Sequence, residues 1–182
     1  MGTIEKNEVA EELNTPILHT LTVTVRHRFN ALARIVGLFS GRGYSIDTIS
    51  LGDGKEKDTA RLTITSRGDN RIIAQIVYQL EKLVDVIEVS QLTFDSFVER
   101  ELALVKVDCK ADQRTDITQV ANIFSGKIVD ISEETLTVEV TGGTDKINAC
   151  IQMLRPFGLR EVARTGSVAM KREFKTAARI KL

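Results

Sequence analysis

The chain of 182 residues is poor in the residue types that build reactive sites, with two cysteines, two histidines and no net charge. Cys109 and Cys150 lie far apart among apolar neighbours and lack the Cys-x-x-Cys spacing of metal or redox sites, so we expect buried, reduced thiols. The balance of 25 basic and 25 acidic residues excludes a general attraction for nucleic acid or an anionic membrane. No stretch approaches the roughly 20 apolar residues that span a bilayer. We therefore expect a soluble, cytoplasmic protein.

Catalytic motifs are also missing from the sequence. The acidic pairs Glu11-Glu12 and Glu133-Glu134 fall in an expected tail and an expected turn, where solvated charge explains them. A lone histidine such as His19 is more often a packing or loop residue than a catalytic one. The glycines at 37, 41 and 43 lie inside and after a predicted helix, which is the wrong place for a phosphate-binding loop. The chain is therefore predicted to bind or sense, with no catalytic residue, metal ligand or cofactor of its own.

One order of elements is predicted twice: strand, helix, strand, strand, helix, strand, over residues 18–92 and again over 101–168. Leu21, Val23 and Val25 alternate with polar residues, as in a half-buried strand, and helical spacing of apolar residues follows from Asn30, a possible N-cap. Right-handed crossovers place both helices of each half on one sheet face. The prediction is an α+β fold of two tandem ferredoxin-like βαββαβ sandwiches. The other sheet face and the edge strands should stay open, which favours a dimer.

Five segments follow from this pattern. They are a flexible N-terminal tail over 1–17, a first domain over 18–93, a short ordered linker over 94–99, a second domain over 100–170 and a basic tail over 171–182. The basic tail is most simply solvated, and a partner-binding helix is the alternative.

Four local features are predicted with the elements. They are a second strand from Tyr44 to Leu51 closed by a Gly52-Asp53-Gly54 turn, a helix cap at Asp69, a phase slip at Val86-Ile87 and a last strand from Leu159 to Val168.

The candidate site is the turn from the first strand into the first helix, residues 26–32. Unpaired N–H groups at a helix start favour an anion such as the carboxylate of an amino acid. The hypothesis places that carboxylate on the N–H groups from Phe29 to Leu32 and a small apolar side chain beside Ile46. An ordinary capped helix is the alternative reading of the same pattern.

The segment Val36-Gly37-Leu38-Phe39-Ser40-Gly41-Arg42-Gly43-Tyr44-Ser45-Ile46 resembles the regulatory, or small, subunit of acetolactate synthase. Three further stretches, at 79–86, 98–107 and 161–166, resemble the same family in the same order. The resemblance runs from about residue 18 to residue 172, and the chain is identified as a member of that family.

The resemblance implies an N-terminal ACT domain, a C-terminal ACT-like domain and a homodimer formed through the ACT domains. It implies a partner, the catalytic subunit, which holds thiamine diphosphate, magnesium and FAD. The regulatory chain itself performs no chemistry. It activates the partner and, in most members, confers feedback inhibition by valine or another branched-chain amino acid bound at the ACT dimer interface.

The sequence departs from the family at the expected effector site. The usual Asn-x-x-Gly before the first helix is here His27 and Asn30, and the usual asparagine of the second strand is Ser45. The effector-binding residues carried over or inferred are His27, Phe29, Asn30, Ala31, Leu32, Ser45, Ile46 and Gly52. Because these substitutions remove hydrogen bonds to the effector, we predict weakened, altered or absent valine feedback, with activation retained. A contact of His27 with the ligand would make the response depend on pH.

Two other functions share this fold. One is a free-standing amino-acid-sensing ACT protein that acts on another enzyme or on transcription. The other is a small acylphosphatase-like enzyme in which Arg26 and Asn30 position a phosphate. An RNA-binding sandwich is disfavoured, because the central strands offer Thr, Val, Ile and Leu in place of stacking aromatics.

Overall fold

The computed structural model describes residues 16–26 and 28–173, without the side chains of Arg28 and Phe29. The chain forms two compact units. The first comprises the residues up to Val98 together with those from Ala169 onward, and the second comprises Glu99–Val168. His27, the stretch 1–15 of the expected N-terminal tail and the stretch 174–182 of the basic tail lie outside the described residues.

The first unit is a βαββαβ sandwich, as predicted. Its elements are β1 (Ile17–Arg26), α1 (Arg28–Gly41), β2 (Thr48–Asp53), β3 (Thr59–Gly68), α2 (Asn70–Glu81) and β4 (Val86–Gln91). The strands form an antiparallel sheet in the order β2-β3-β1-β4. Leu21, Val23 and Ile64 of the sheet share one core with Ile35 of α1 and Ile76 of α2, so both helices cover the same sheet face. Each such buried side chain contributes about 1.5–3 kcal/mol.

The end of α1 is closed by a Schellman motif, and this motif explains the segment that carries the family resemblance. The Tyr44 N–H donates to the Phe39 carbonyl at 2.9 Å, and the Gly43 N–H donates to the Ser40 carbonyl at 3.3 Å. Gly43 has a φ of 70°, which a glycine adopts without steric cost. The rings of Phe39 and Tyr44 then meet edge to face at 6.1 Å.

The second unit repeats the arrangement. Its elements are β5 (Phe97–Asp108), α3 (Arg114–Ile123), β6 (Lys127–Ile131), β7 (Thr135–Gly142), α4 (Thr144–Leu154), a 3₁₀ turn (Arg155–Phe157) and β8 (Leu159–Arg164). The last strand, β9 (Val168–Lys171), begins at the final residue of this unit, and its residues from Ala169 belong to the first unit. The strand order β6-β7-β5-β8 matches that of the first unit. Cys109 and Cys150 are buried and unpaired in the core, as predicted, and burial raises the pKa of the Cys150 thiol.

Two local predictions are confirmed. The Asp69 carboxylate accepts from the Ile72 N–H at 2.8 Å and caps α2. The phase slip at Val86-Ile87 is an irregularity in the pairing of β4 with β1, because Val25 pairs with Val86 while Thr24 pairs with Glu88.

Two predictions around β2 are wrong. The strand begins at Thr48, because the chain from Tyr44 still completes the helix cap. The turn after it is not Gly52-Asp53-Gly54 but a longer loop: Gly52 and Asp53 belong to the strand, and the Gly54 N–H donates to the Thr59 carbonyl at 3.0 Å. A Cβ on Gly54 would lie 2.2 Å from the Thr59 hydroxyl, so glycine is required there.

The predicted last strand from Leu159 to Val168 is also wrong, because it is broken. β8 ends at Arg164, and β9 begins at Val168. Gly166 between them has a φ of 75°, a conformation that does not continue a strand.

The open sheet face expected in the first unit is in fact covered. Thr20, Thr22, Thr63 and Thr65 alternate with the core residues of β1 and β3, yet each is at most 5% exposed. The Ala169 N–H, on the returning chain, donates to the Thr63 hydroxyl at 3.3 Å. The C-terminal part of the chain therefore supplies part of the cover, which no periodicity in the sequence indicates.

Candidate functional site

The corner from β1 into α1 is held by the loop between α2 and β4. The Arg26 N–H donates to the Asp85 carbonyl at 2.8 Å. The Arg34 guanidinium, six residues after the start of α1, pairs with the Asp85 carboxylate at 2.9 Å. One aspartate therefore contacts both the end of the strand and the first half of the helix.

The helix start differs from the prediction by two residues. α1 begins at Arg28, so Asn30 is an exposed residue of the first turn and not the N-cap. The prediction placed the start at Asn30 because asparagine is a preferred N-cap residue, although here it lies within the first turn. A helix that begins at Arg28 leaves free the N–H groups up to Ala31 at most, so the N–H of Leu32 is not available to a ligand. Ala31 is 1% exposed and belongs to the core, and so does the half-buried Leu32.

Ser45 and Ile46 lie at the opposite end of the first unit from this corner. The Ser66 hydroxyl donates to the Ser45 carbonyl at 2.6 Å, and Ser66 pairs with His19 near the beginning of β1. The 14 residues of α1 separate the two ends, a distance of about 21 Å at 1.5 Å per residue. Ile46 precedes β2 and packs against the core.

Gly52 lies at the same end of the sheet as the helix start. It pairs with Arg61 on β3, and Arg61 pairs with Thr24 near the end of β1. The predicted residues therefore form two groups within one chain, one around the helix start and one around Ser45.

Sequence reasoning missed a buried polar cluster around His19, which is 0% exposed. His19 Nε2 lies 3.2 Å from the Gly68 carbonyl, and Nδ1 lies 3.2 Å from the Thr93 hydroxyl and 3.3 Å from Gln91 Nε2. The carbonyl requires Nε2–H as donor, and the Gln91 amide then donates to an unprotonated Nδ1. This arrangement suits the neutral ring. Burial lowers the pKa of His19, against smaller opposing effects of the Gly68 carbonyl and Asp69.

His19 should make the stability of the first unit depend on pH. Because its pKa is lowered on folding from 6.5, protonation favours the unfolded chain, so stability is complete above about pH 6.5 and falls as the pH drops below it. The slope contributed by His19 is at most about 1.4 kcal/mol per pH unit. Urea unfolding at pH 5.5, 6.5 and 7.5 should show this loss in the wild-type chain and a shallower one in His19→Gln. Equal slopes would show that His19 does not carry the effect.

Within the described residues, no helix is long and apolar enough to cross a membrane. The same residues contain no group of three or more His, Cys, Asp or Glu side chains placed to hold a metal ion.

The comparisons with known proteins agree over both units. A family model described as the small subunit of acetolactate synthase matches residues 100–173, and one described as an AHAS small subunit-like ACT domain matches residues 21–88. The acetolactate synthase small subunit of Aquifex aeolicus is 49% identical over 85% of this chain and 81% of its own length. A probable acetolactate synthase small subunit of Methanothermobacter thermautotrophicus is 46% identical over 88% of this chain and 96% of its own.

The crystal structure of the acetolactate synthase small subunit from Thermotoga maritima superposes with a TM-score of 0.79 at 36% identity. It covers 86% of this chain and 98% of that one. The two tandem ferredoxin-like units, the matches to both family models and these relatives together show that the chain belongs to the acetolactate synthase small subunit family, the regulatory subunits of that enzyme.

Proposed function

We propose that this chain activates the catalytic subunit of acetolactate synthase and responds weakly or not at all to valine. Membership of the small subunit family supports the partner. The segment that forms the Schellman motif at the end of α1 and the whole second unit match the family, which supports activation. The substitutions at His27, Asn30 and Ser45 support the weakened response.

The observation that carries the effector proposal is the separation of the two groups of candidate residues. Asn30 and Gly52 lie at one end of the first unit, and Ser45 lies about one helix length away. One chain cannot close both groups around a single small amino acid. A shared site in a homodimer can.

The edge strand β2 supplies a way to form that homodimer. It is the outer strand of its sheet, next to β3, and Leu51 on it is 42% exposed. Antiparallel pairing of β2 with its copy would continue the sheet across a two-fold axis. The Thr48 end of one β2 would then face the Asp53 end of the other, so Ser45 of one protomer would approach the helix start of its partner.

The chemistry at the proposed site follows from the free N–H groups of α1. They would donate hydrogen bonds to the effector's carboxylate, and an apolar branched side chain would fit against aliphatic residues of the sheet edge. The effector can shift activity only by the difference between its affinities for two arrangements of the assembly.

The chemistry of the reaction belongs, in this proposal, to the catalytic subunit in the cytoplasm. Thiamine diphosphate, magnesium and FAD would be held there, and this chain would be non-catalytic. The purified chain alone should therefore form no acetolactate from pyruvate.

The test measures acetolactate formation by the catalytic subunit of the same organism with and without this chain, and with and without valine. The expected result is activation with little inhibition at valine concentrations that inhibit a valine-sensitive holoenzyme. Strong inhibition would contradict the weakened response and leave activation intact. Absence of both activation and complex formation would contradict the proposal as a whole and favour a free-standing sensor.

A further inference from the structure

The sheet of the second unit has a face that none of the described helices covers. Ala103, Val105 and Val107 of β5 point into the core with α3 and α4, so the residues between them lie on the opposite face. That face carries a groove of about 350 Å³. Leu104 on its floor is 37% exposed, and Ala163 beside it is exposed as well.

Thr137 in this groove has an unusual environment. The residue is 8% exposed, and its hydroxyl has no hydrogen-bond partner among the described residues. A hydroxyl that is shielded from water and left without a partner costs about 1–3 kcal/mol. The groove therefore combines the apolar side chains of Leu104 and Ala163 with one unpaired hydroxyl.

The charges on this face are arranged so that the face is complementary to the same face of a second copy of the chain. Lys106 on β5 pairs in register with Glu161 on β8, and Lys106 Nζ lies 3.9 Å from Glu161 Oε2. Leu104 pairs in the same way with Ala163. Consider two copies that face each other, related by a two-fold axis that lies between the two sheets and runs parallel to β5 and β8, midway between these strands. This axis would place Lys106 of each copy over Glu161 of the other. The same axis would place each leucine over an alanine.

We propose that Leu104, Lys106, Glu161 and Ala163, here termed the β5–β8 face, pack against the same face of a second copy of this chain. The two copies together form a square of alternating charges around an apolar contact, which is the self-complementarity that an isologous interface requires. The overlap involves a few strands, which corresponds to a weak interface of less than about 1,200 Å² in total. This contact is separate from the β2 edge and does not rest on the proposed function.

Disulfide trapping tests the pairing of Leu104 with Ala163. Full-length Leu104→Cys and Ala163→Cys chains are purified separately, mixed under mild oxidation and separated on a non-reducing denaturing gel. We expect a cross-linked dimer to form faster than with Ile123→Cys in place of Leu104→Cys, because Ile123 is 74% exposed but lies on α3. Cys109 and Cys150 are buried and are present in every variant, so any cross-linking through them is the same in the test and in the control.

Trapping no faster than in the Ile123→Cys control would overturn the proposal. So would protection of the Leu104→Cys thiol from a maleimide by the catalytic subunit without any cross-link between copies, because the face would then belong to a different partner.

Charge reversal tests the register independently of the cysteines. Lys106→Glu in both mixed chains places like charges together and should slow trapping about fivefold. Lys106→Glu combined with Glu161→Lys restores alternating charges and should restore the rate. An unchanged rate in the single variant, or no recovery in the double variant, would show that the two copies do not meet in this register.

Discussion

Replacing Arg164 with methionine is expected to lower the free energy of unfolding of the second unit by about 2–3 kcal/mol. Glu101 is 4% exposed, and its two carboxylate oxygens accept from Arg164 Nε and Nη2 at 2.7 Å each. The hydrogen bonds to Glu101 raise the pKa of Arg164, so the guanidinium stays charged. Arg164→Met leaves a buried carboxylate without its partner. The figure is below the usual range for a buried pair because the Arg164 side chain is 34% exposed.

The measurement is calorimetric or circular-dichroism unfolding of the full chain, in which the transition of the second unit should fall by about 8–24 °C. Arg160→Met is the matched control, because Arg160 pairs with Asp108 and Glu134 at the exposed surface, where solvent screens the ion pairs, so its loss should change the stability far less. Combining Arg164→Met with Glu101→Leu should recover much of the loss, since no charge is then buried. Equal effects of the Arg164 and Arg160 variants would contradict this account.

This pair also gives a physical meaning to one stretch of the family resemblance. Arg164 belongs to the stretch 161–166 and Glu101 to the stretch 98–107, and they meet because β8 pairs with β5. Arg164 Nη1 also donates to Asn148 on α4 at 2.9 Å. The stretch 161–166 therefore holds the edge strand β8 against β5 and α4 through the side chain of Arg164.

The fold could be predicted from the sequence because each element has a local signal. The alternation of Leu21, Val23 and Val25, the Asp69 cap and the glycine at 43 each determine a piece of structure within a few residues. The order of strands then follows from the handedness of the crossovers. The start of α1 was placed two residues late because Asn30 is of a residue type that favours the N-cap. The break at Gly166 was missed because the apolar alternation does not show that this glycine has a positive φ.

The candidate site was harder to predict for a different reason. Ser45 and Asn30 are 15 residues apart in sequence, and the helix between them separates their ends by about 21 Å. The family pattern links them, but one chain does not bring them together. The His19 cluster joins residues 49 and 74 positions away along the chain. Such long-range pairings depend on the register of β1 with β3 and β4, which no local pattern specifies.

Restoring the family's residues should strengthen valine binding. The triple variant His27→Asn, Asn30→Gly, Ser45→Asn replaces the three positions at which this chain departs from the family. The two restored asparagines each recover one hydrogen bond of about 0.5–1.5 kcal/mol, so together they should tighten binding by roughly 5-fold to 150-fold. The restored glycine adds no hydrogen bond and allows the ligand to approach the backbone closely. Asn30→Gly introduces a glycine into the first turn of α1 and should lower the free energy of unfolding by about 0.5–1 kcal/mol. The stability of the triple variant should therefore be measured together with its valine binding.

Isothermal titration with valine, and valine inhibition of the complex with the catalytic subunit, provide the two readouts. Ser125→Asn is a suitable control, because Ser125 lies in the second unit at a φ of 51° that asparagine tolerates. Activation by the triple variant should equal that of the wild-type chain, since the second unit is unchanged. Tight valine binding by the wild-type chain, or no gain in the triple variant, would show that these three side chains do not determine the response.

If heterodimers with His27→Asn and Asn30→Gly in one chain and Ser45→Asn in the other bind one valine more tightly than the wild-type homodimer, the two chains share the site. That result would follow from the helix-length separation of the two groups, because each complete site would then take the helix start from one protomer and position 45 from its partner.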